Sequence, residues 1–189
     1  MAGGMRPTVL AQVGGRIRAA RRDRDLSVAA LAERSGISRR MLTQIELAQA
    51  NPSVTLLDRV AAGLEITFAA LIGIGGDAPP EGVEVWSTDA GSWAIVLDAI
   101  DSPDVSVEMW RWNVVGTDTY TGLGGPPTTG KMLHVVDGTL EICAEGATRQ
   151  VVAGGSAHLA PGGTFTYRAA DGLAAVFFSV ALQSRGDPA

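Results

Sequence analysis

Four polar side chains near residue 40 are of the types that recognise bases in DNA: Arg39, Arg40, Thr43 and Gln44. An arginine can bind guanine O6 and N7 together, and a glutamine can bind adenine N6 and N7; each such pair gives about 1–3 kcal/mol of discrimination. On a helix, these residues lie opposite the apolar Leu42 and Ile45. Two adjacent arginines often form only a solvated face, so the surrounding elements must decide between these interpretations.

The neighbouring residues have the layout of a helix-turn-helix, whose second helix enters the DNA major groove. Residues 28–34 carry a helical apolar face, which Ser35 and Gly36 interrupt. Ser38 is placed to cap a second helix over residues 39–47. The free N–H groups at the helix starts after Ser38 and Ser53 can also bind phosphate oxygens.

The two helices belong to a longer helical region. From about residue 9 to residue 72, apolar residues recur every three or four positions, which predicts five helices. Gly36 and Gly63 lie where helices should end. The residues placed as N-caps are Ser27, Ser38, Ser53 and Thr67. We therefore predict a five-helix domain over residues 9–72, preceded by a flexible N-terminus over residues 1–8.

Charge divides the chain into two parts. Residues 1–75 hold ten Arg against six acidic residues, a net charge of +4, whereas the remainder holds five Lys or Arg against fourteen acidic residues, a net charge of −9. The basic part suits a polyanion as partner. Cys143 is the single cysteine, which excludes an intramolecular disulfide. With neither a signal-peptide pattern nor an apolar run of membrane-spanning length, we expect a soluble cytoplasmic protein.

The second part has the pattern of an all-β domain. Residues 73–82 are rich in Gly and Pro and predict a linker. From residue 83 to residue 182, short runs with a period of two predict the strands of a barrel or sandwich, followed by a flexible tail over residues 183–189. Asp137 and Gly138 predict a two-residue hairpin turn, because both tolerate a positive φ.

The helical region resembles the XRE family, the Cro/C1-type helix-turn-helix regulators. The resemblance rests on GISRRMLTQIE and the following NPSVTLLDRVAAGLEIT, and it covers about 60 residues. It implies a five-helix bundle and a homodimer on a roughly palindromic double-stranded DNA operator. The DNA contacts that it implies are Ser38, Arg39, Arg40, Thr43 and Gln44. To these we add Asn51 and Ser53. At Val28 the family often has Gln, so one side-chain phosphate contact is missing here. Glu46 is expected to make a structural polar contact.

The β-region resembles the cupin family, small double-stranded barrels, through HVVDGTLEI and GGSAHLAPGGTFTYR. A metal-binding cupin supplies several His and a carboxylate, since a divalent ion needs fixed donors. The corresponding positions here carry Gly125, Pro127, Lys131 and Thr166. We therefore expect no metal, no other cofactor and no catalysis.

Three polar residues of the β-region form a candidate site for an anionic or polar small molecule: Arg111, Tyr120 and Lys131. Strand alternation puts Lys131 on the inner face and His134 on the outer face, where a dimer contact is one possible role. Trp110 and Trp112 alternate around Arg111 and are expected to pack in the core.

Together these patterns predict a helix-turn-helix bundle followed by a cupin-like barrel that dimerises the chain, senses a small molecule, or does both. Two alternatives stay open. One is a metal-dependent cupin enzyme, an isomerase or dioxygenase with an accessory helical domain. The other is a constitutive repressor whose barrel serves only for dimerisation. Metal content separates the first alternative from the prediction, and a thermal response to small molecules separates the second.

Overall fold

A computed structural model describes residues 4–74, 81–102, 105–124 and 129–184, and the following account concerns those residues. Within them the chain forms five α-helices and then nine strands, with one short 3-10 helix (Ala170–Gly172) before the last strand. This confirms the predicted order of a helical bundle followed by a cupin-like β-domain. The helices are α1 (Pro7–Asp23), α2 (Val28–Arg34), α3 (Arg39–Glu46), α4 (Val54–Gly63) and α5 (Phe68–Ile72).

Hydroxyl caps set the starts of α2 to α5. Each hydroxyl accepts a hydrogen bond from the backbone N–H three residues later, at 3.0–3.2 Å. A cap of this kind is worth about 1 kcal/mol, because it satisfies one of the free donors at the helix start. The four predicted caps are all confirmed: Ser27, Ser38, Ser53 and Thr67. The apolar positions predicted from the helical period are buried between the helices, among them Ile17, Leu31, Leu42, Leu57 and Leu64.

The strands form two curled antiparallel sheets that together make a half-barrel. The strands are β1 (Val83–Ser87), β2 (Trp93–Asp101), β3 (Val105–Val115), β4 (Thr119–Leu123), β5 (Thr129–Ala144), β6 (Ala147–Val152), β7 (Ser156–Leu159), β8 (Thr164–Ala169) and β9 (Ala174–Ser184). One sheet has the order β1-β2-β3-β9-β5, with β7 on the far side of β5. The other contains β4, β8, β5 and β6.

The long strand β5 belongs to both sheets, so the predicted hairpin at Asp137 and Gly138 is wrong. The pairing of β5 with β9 shifts register between Val135 and Asp137, and Gly138 has a φ of 75°. A Cβ at Gly138 would collide with the carbonyl oxygen of Ala174. The positive φ that suggested a turn instead forms a bulge, which bends one continuous strand from the first sheet into the second.

Aromatic side chains fill the space between the two sheets. Trp112 stacks on Trp110 with ring centroids 5.4 Å apart and on Phe177 at 5.7 Å, and it meets the edges of Tyr120 and Tyr167. Trp110 and Trp112 are both buried, as their alternation predicted. These rings give the half-barrel a rigid floor.

The helical bundle packs directly on the half-barrel. Phe68, at the start of α5, stacks on Trp110 with a centroid distance of 5.7 Å and an interplanar angle of 7°. The backbone N–H of Ala69 donates to the Glu108 carboxylate at 3.2 Å, and the Thr67 hydroxyl donates to Asp101 at 3.1 Å. The predicted linker lies mostly outside the described residues, and the contacts on either side of it fix the two parts against each other.

Parts of both predicted flexible ends make defined contacts, whereas residues 1–3 lie outside the described residues. Gly4 pairs with Ser87 beside β1, Met5 is buried, and Arg6 forms an ion pair with Glu84 at 2.8 Å. Because Asn51 holds the backbone of Met5, residues 4–8 are tied to both parts of the molecule. At the other end, β9 continues to Ser184, so only residues 185–189 of the predicted tail lie outside the described residues. None of the described helices has both the length and the hydropathy needed to cross a membrane.

Candidate nucleic-acid interface and interior cavity

The turn between α2 and α3 presents α3 at the surface of the bundle. Gly36 has a φ of 61°, and the N–H of Ile37 donates back to Ala32 at 2.9 Å, which closes the end of α2. The guanidinium of Arg59, on α4, donates to the carbonyl of Gly36 and so fastens this turn to the neighbouring helix. The two helices therefore have the helix-turn-helix arrangement that the sequence predicts.

The side chains of α3 divide into a buried and a solvent-facing set. Leu42 and Ile45 are buried against the bundle, whereas Arg39, Arg40 and Thr43 are exposed. Gln44 is half-buried at the boundary. This face supplies two cations and a side-chain amide on a rigid, capped helix, which is the chemistry needed to bind phosphates and base edges.

The predicted contact residues also have local structural roles. The Ser38 hydroxyl accepts the Met41 N–H at 3.1 Å, and the Thr43 hydroxyl donates to the Arg39 carbonyl at 2.9 Å. Ser53 caps α4 in the same way as Ser38 caps α3. Asn51 is exposed, and both ends of its amide bind the backbone of Met5 at 3.0–3.1 Å, so it also holds the N-terminal segment. Its contact with DNA stays a prediction.

Glu46 makes the structural contact expected of it. Its carboxylate accepts two hydrogen bonds from the Arg21 guanidinium at 2.6 and 3.0 Å, and these bonds raise the pKa of Arg21. Arg18 donates to the backbone carbonyl of Glu46, and Arg16 donates to the carbonyl of Ile72. Three of the arginines of α1 therefore hold the bundle together.

A cavity lies between α4 and the half-barrel. Its floor is formed by Trp110, Trp112 and Tyr167, and Asp58 and Thr55 of α4 close it from the other side. Its volume is about 60 Å³, and it adjoins a cleft of about 540 Å³ between α4 and the barrel rim.

Two of the three residues predicted to bind a ligand line this cavity, and the third does not. Tyr120 is buried in its wall, and Lys131 lines both the cavity and the cleft. Arg111 is exposed on the opposite face of β3, where its guanidinium lies 5.4 Å from the ring centre of Trp93. Since neighbouring residues of a strand point to opposite faces, Arg111 cannot share a site with the inward-facing Trp110 and Trp112.

Two acidic residues that the sequence did not single out face Lys131 across the cavity. Glu108 is 3% exposed, and burial raises its pKa to about 7 although Trp110 and Ala69 donate hydrogen bonds to it. Burial also raises the pKa of Asp58, and a hydrogen bond from Gln183 and the charge of Lys131 oppose that rise. Burial lowers the pKa of Lys131, and both carboxylates oppose that change.

Part of this arrangement was visible in the sequence. Glu108 has the same alternation phase as Trp110 and Trp112, so an acid had to share their buried face. Lys131 is the single lysine of the chain, and the other fourteen basic residues are arginines. Asp58 gave no such sign, because nothing local shows that α4 faces the half-barrel.

The positions that correspond to cupin metal ligands do not converge on a donor set in the described residues. Gly125 and Pro127 lie outside those residues, Lys131 brings an ammonium into the cavity, and Thr166 lies between the inward-facing Phe165 and Tyr167 of β8. His134 and His158 are exposed on the outer face of the first sheet, where His134 hydrogen-bonds the Ser156 hydroxyl at 2.9 Å.

Comparisons with known proteins agree with this architecture. Residues 17–71 match the HTH_3 family, whose description is helix-turn-helix. The HTH-type transcriptional regulator SutR of Escherichia coli (strain K12) is 28% identical over 150 residues, which cover 78% of this chain and 82% of that protein. The immunity repressor protein of Bacillus phage phi105 is 43% identical over 61 residues, which cover 32% of this chain and 42% of the repressor.

One solved structure shares the fold of both parts. The HTH_3 family transcriptional regulator from Vibrio cholerae superimposes with a TM-score of 0.75 at 20% identity, over 93% of this chain and 97% of that chain. The helix-turn-helix region and the β-domain therefore occur together in a known architecture.

Proposed function

We propose that this chain is a sequence-specific DNA-binding transcriptional regulator and not an enzyme. The observation that carries the proposal is the capped helix α3, which follows a tight turn and turns Arg39, Arg40 and Thr43 to solvent. In the major groove this helix would place its N-terminal residues against base edges. The match of residues 17–71 to a helix-turn-helix family and the similarity to SutR support the same conclusion.

The contacts divide by chemistry. Arg39, Arg40 and Gln44 read base edges, and Thr43 meets a base edge or a phosphate. The Ser38 and Ser53 ends of α3 and α4 direct backbone N–H groups to phosphate oxygens. Asn51 belongs to the same proposed contact set, and its amide also holds the backbone of Met5.

The test is selection of bound sequences from a random-sequence DNA duplex library, followed by binding titrations on a selected duplex and on its scrambled counterpart at several salt concentrations. We expect preference for the selected duplex and an affinity that falls with salt. Arg39→Ala and Arg40→Ala should each lose about tenfold or more on the selected duplex. Arg149→Ala, on the half-barrel, is the charge-matched control. Equal affinity for both duplexes, or equal losses in all three variants, would contradict the proposal.

A second part of the proposal is a homodimer formed through the half-barrel. The outer face of the first sheet carries an unbroken group of apolar side chains, which we name the outer sheet face: Ile100, Val107, Met109, Met132, Phe178, Val180 and Leu182. Met132 is 63% exposed and Ile100 is 71% exposed. A contiguous exposed apolar patch of this kind marks an interaction site, whereas single exposed apolar side chains do not. A second copy is the fitting occupant, because two copies would present two α3 helices about 34–36 Å apart to a palindromic site.

Sedimentation analysis of the full chain tests this dimer. Met132→Glu should shift the chain from dimer to monomer, because it brings an unpaired charge into an apolar contact. Leu173→Glu is the matched control, since Leu173 is 72% exposed but lies outside the outer sheet face. A wild-type monomer, or a dimer that persists in Met132→Glu, would rule out this interface.

The third part is that the half-barrel senses a small molecule, because its cavity is lined by both α4 and the barrel strands. A molecule bound there contacts the DNA-binding and β-regions together, so it can change the affinity for DNA. Metal analysis of the purified protein separates this proposal from a metal-dependent enzyme, for which stoichiometric iron, manganese or zinc is expected. A regulator whose barrel serves only for dimerisation would show no thermal shift with any small molecule.

A further inference from the structure

The cavity between α4 and the half-barrel contains opposite charges that face each other without touching. Asp58 and Glu108 attract Lys131 electrostatically, yet none of the ion pairs among the described residues joins Lys131 to either carboxylate. The Lys131 ammonium instead lies 4.7 Å from the ring centre of Phe165. Glu108 is buried, and Asp58 and Lys131 are half-buried. Charges withdrawn from water are costly unless they are paired, so such a separation favours a ligand that supplies opposite charges.

The two carboxylates are not equivalent. Both oxygens of Glu108 already accept hydrogen bonds, Oε1 from the Ala69 N–H at 3.2 Å and Oε2 from the Trp110 indole at 3.1 Å. Asp58 accepts a hydrogen bond from Gln183 but lies nearer the opening, because it lines the outer cleft as well as the cavity, and Lys131 lines both in the same way. Asp58 and Lys131 therefore flank the passage between the two spaces, with one negative and one positive charge available to a ligand.

We propose that this passage binds a small zwitterion with the pattern of an α-amino acid. Its ammonium group pairs with Asp58, its carboxylate pairs with Lys131, and its side chain lies against the floor formed by Trp110 and Trp112. A ligand with a single charge would leave one of the two half-buried protein charges without an opposite charge, which disfavours simple amines and simple acids. This inference rests on the sensing role proposed above and assigns it a ligand class.

The position of Asp58 connects this site to the DNA-binding surface. The next residue, Arg59, donates to the Gly36 carbonyl in the turn between α2 and α3. A ligand that joins Asp58 on α4 to Lys131 on β5 therefore fixes α4 against the half-barrel, and α4 in turn carries the contact that sets the turn before α3. Ligand binding and DNA binding are coupled through this helix.

The experiment uses the full-length protein, the standard L-amino acids and, for each one that binds, the same compound without its amino group and without its carboxylate. Binding is measured by calorimetry and by thermal shift in the absence of DNA. Because Lys131 is the single lysine, growth with ¹³C-labelled lysine places one labelled side chain in the protein, and its NMR signal reports directly on this site.

We expect at least one L-amino acid to raise the Tm and to move the Lys131 signal. Asp58→Asn and Lys131→Met should each weaken its binding about tenfold or more, and both single-charge analogues should bind weakly by the same measure. Asp89→Asn, in an exposed turn, is the control and should bind as the wild type does. The Lys131 signal of the wild-type protein keeps the test valid if either cavity variant fails to fold.

Three results would overturn the inference. The first is that no amino acid moves the Lys131 signal. The second is that the analogue without an amino group binds equally well, which would indicate an anion site formed by Lys131 alone. The third is that the analogue without a carboxylate binds equally well, which would indicate an amine site formed by the acids. Because these measurements contain no DNA, a failure to bind DNA would count against the proposed regulator and leave the amino-acid site intact.

Discussion

The exposed face of α3 and the cavity of the half-barrel use positive charge in opposite ways. Arg39 and Arg40 are exposed and take part in none of the described ion pairs, in a region with a net charge of +4. Lys131 is half-buried in the acidic half of the chain, and it lines a cavity with two carboxylates that it does not touch. The α3 face therefore carries several accessible cations, whereas the cavity contains a single cation.

This difference indicates which partner each region can recognise. Exposed charges are screened over about 8 Å at physiological salt, so several of them are needed and only a densely charged partner holds them well. A buried charge acts in a medium of low effective dielectric, where one correctly placed opposite charge on a small ligand matters greatly. Arginine suits the first task through its planar donors, and lysine suits the second as a compact point charge.

The structural arginines and the DNA-facing arginines should differ in how much they contribute to stability. The largest loss in the free energy of unfolding is expected when Arg21 is replaced. Its side chain is 12% exposed and pairs with Glu46, which is 6% exposed, so Arg21→Ala leaves a buried carboxylate with only the longer ion pair to Arg18, at 3.7 Å. We expect the free energy of unfolding in urea to fall by about 3 kcal/mol. Arg39→Ala should leave stability within about 0.5 kcal/mol of the wild type, because it removes no buried contact.

The double variant Arg21→Ala/Glu46→Ala sharpens this test. If the loss in Arg21→Ala comes from a buried carboxylate that has lost its two hydrogen bonds to Arg21, removing that carboxylate as well should cost less than the sum of the two single changes. Equal stability losses for Arg21→Ala and Arg39→Ala would break the distinction between the two sets of arginines.

The buried Glu108 of the cavity should make the stability of the protein depend on pH. Burial raises the pKa of Glu108 from 4.5 to about 7, so between these values the folded protein binds a proton that the unfolded chain has released. Stability from this group is therefore complete below about pH 4.5 and is lost as the pH rises through about 7. From pH 5 to pH 8 we expect a loss of about 2 kcal/mol, measured by urea unfolding.

The Glu108→Gln variant isolates this contribution. It cannot titrate, so its stability should change less than that of the wild type between pH 5 and pH 8, whatever its absolute value. Asp58 and Lys131 face Glu108 and remain in both proteins, so the difference between the two pH profiles reports the titration of Glu108 together with its electrostatic effect on these two neighbours. Identical profiles would show that Glu108 is not held in the enclosed environment described above.

The helical region was predictable because its signals are local. A cap hydroxyl, an apolar period and a breaking glycine act within four residues of one another, and the caps at Ser27, Ser38, Ser53 and Thr67 are all present in the structure. Glycine was less informative in the β-region. At Gly138 the same tolerance of positive φ serves a turn or a bulge, and only the long-range pairing of β5 with β9 selects the bulge.

The cavity depends on contacts between distant segments, and for that reason the sequence revealed only part of it. Strand alternation placed Lys131 inside but could not bring Asp58 of α4 opposite it, since that requires the bundle to dock on the half-barrel. The same alternation should have excluded Arg111, which has the opposite phase to Trp110 and Trp112. The error came from choosing residues by charge before assigning each one to a face of its strand.

The smallest change in stability is expected at Ser38, whose side chain caps α3 and also belongs to the proposed DNA-contact set. Ser38 and Ser27 cap neighbouring helices with equivalent bonds, at 3.1 and 3.0 Å, so Ser38→Ala and Ser27→Ala should each reduce the free energy of unfolding by about 1 kcal/mol. Only Ser38 lies beside Arg39 and Arg40 at the start of α3, so only Ser38→Ala should also weaken binding to a selected duplex. The comparison is made in the same buffer by urea unfolding and DNA titration. Equal DNA affinities for the two variants would place the start of α3 outside the interface and leave recognition to its later residues.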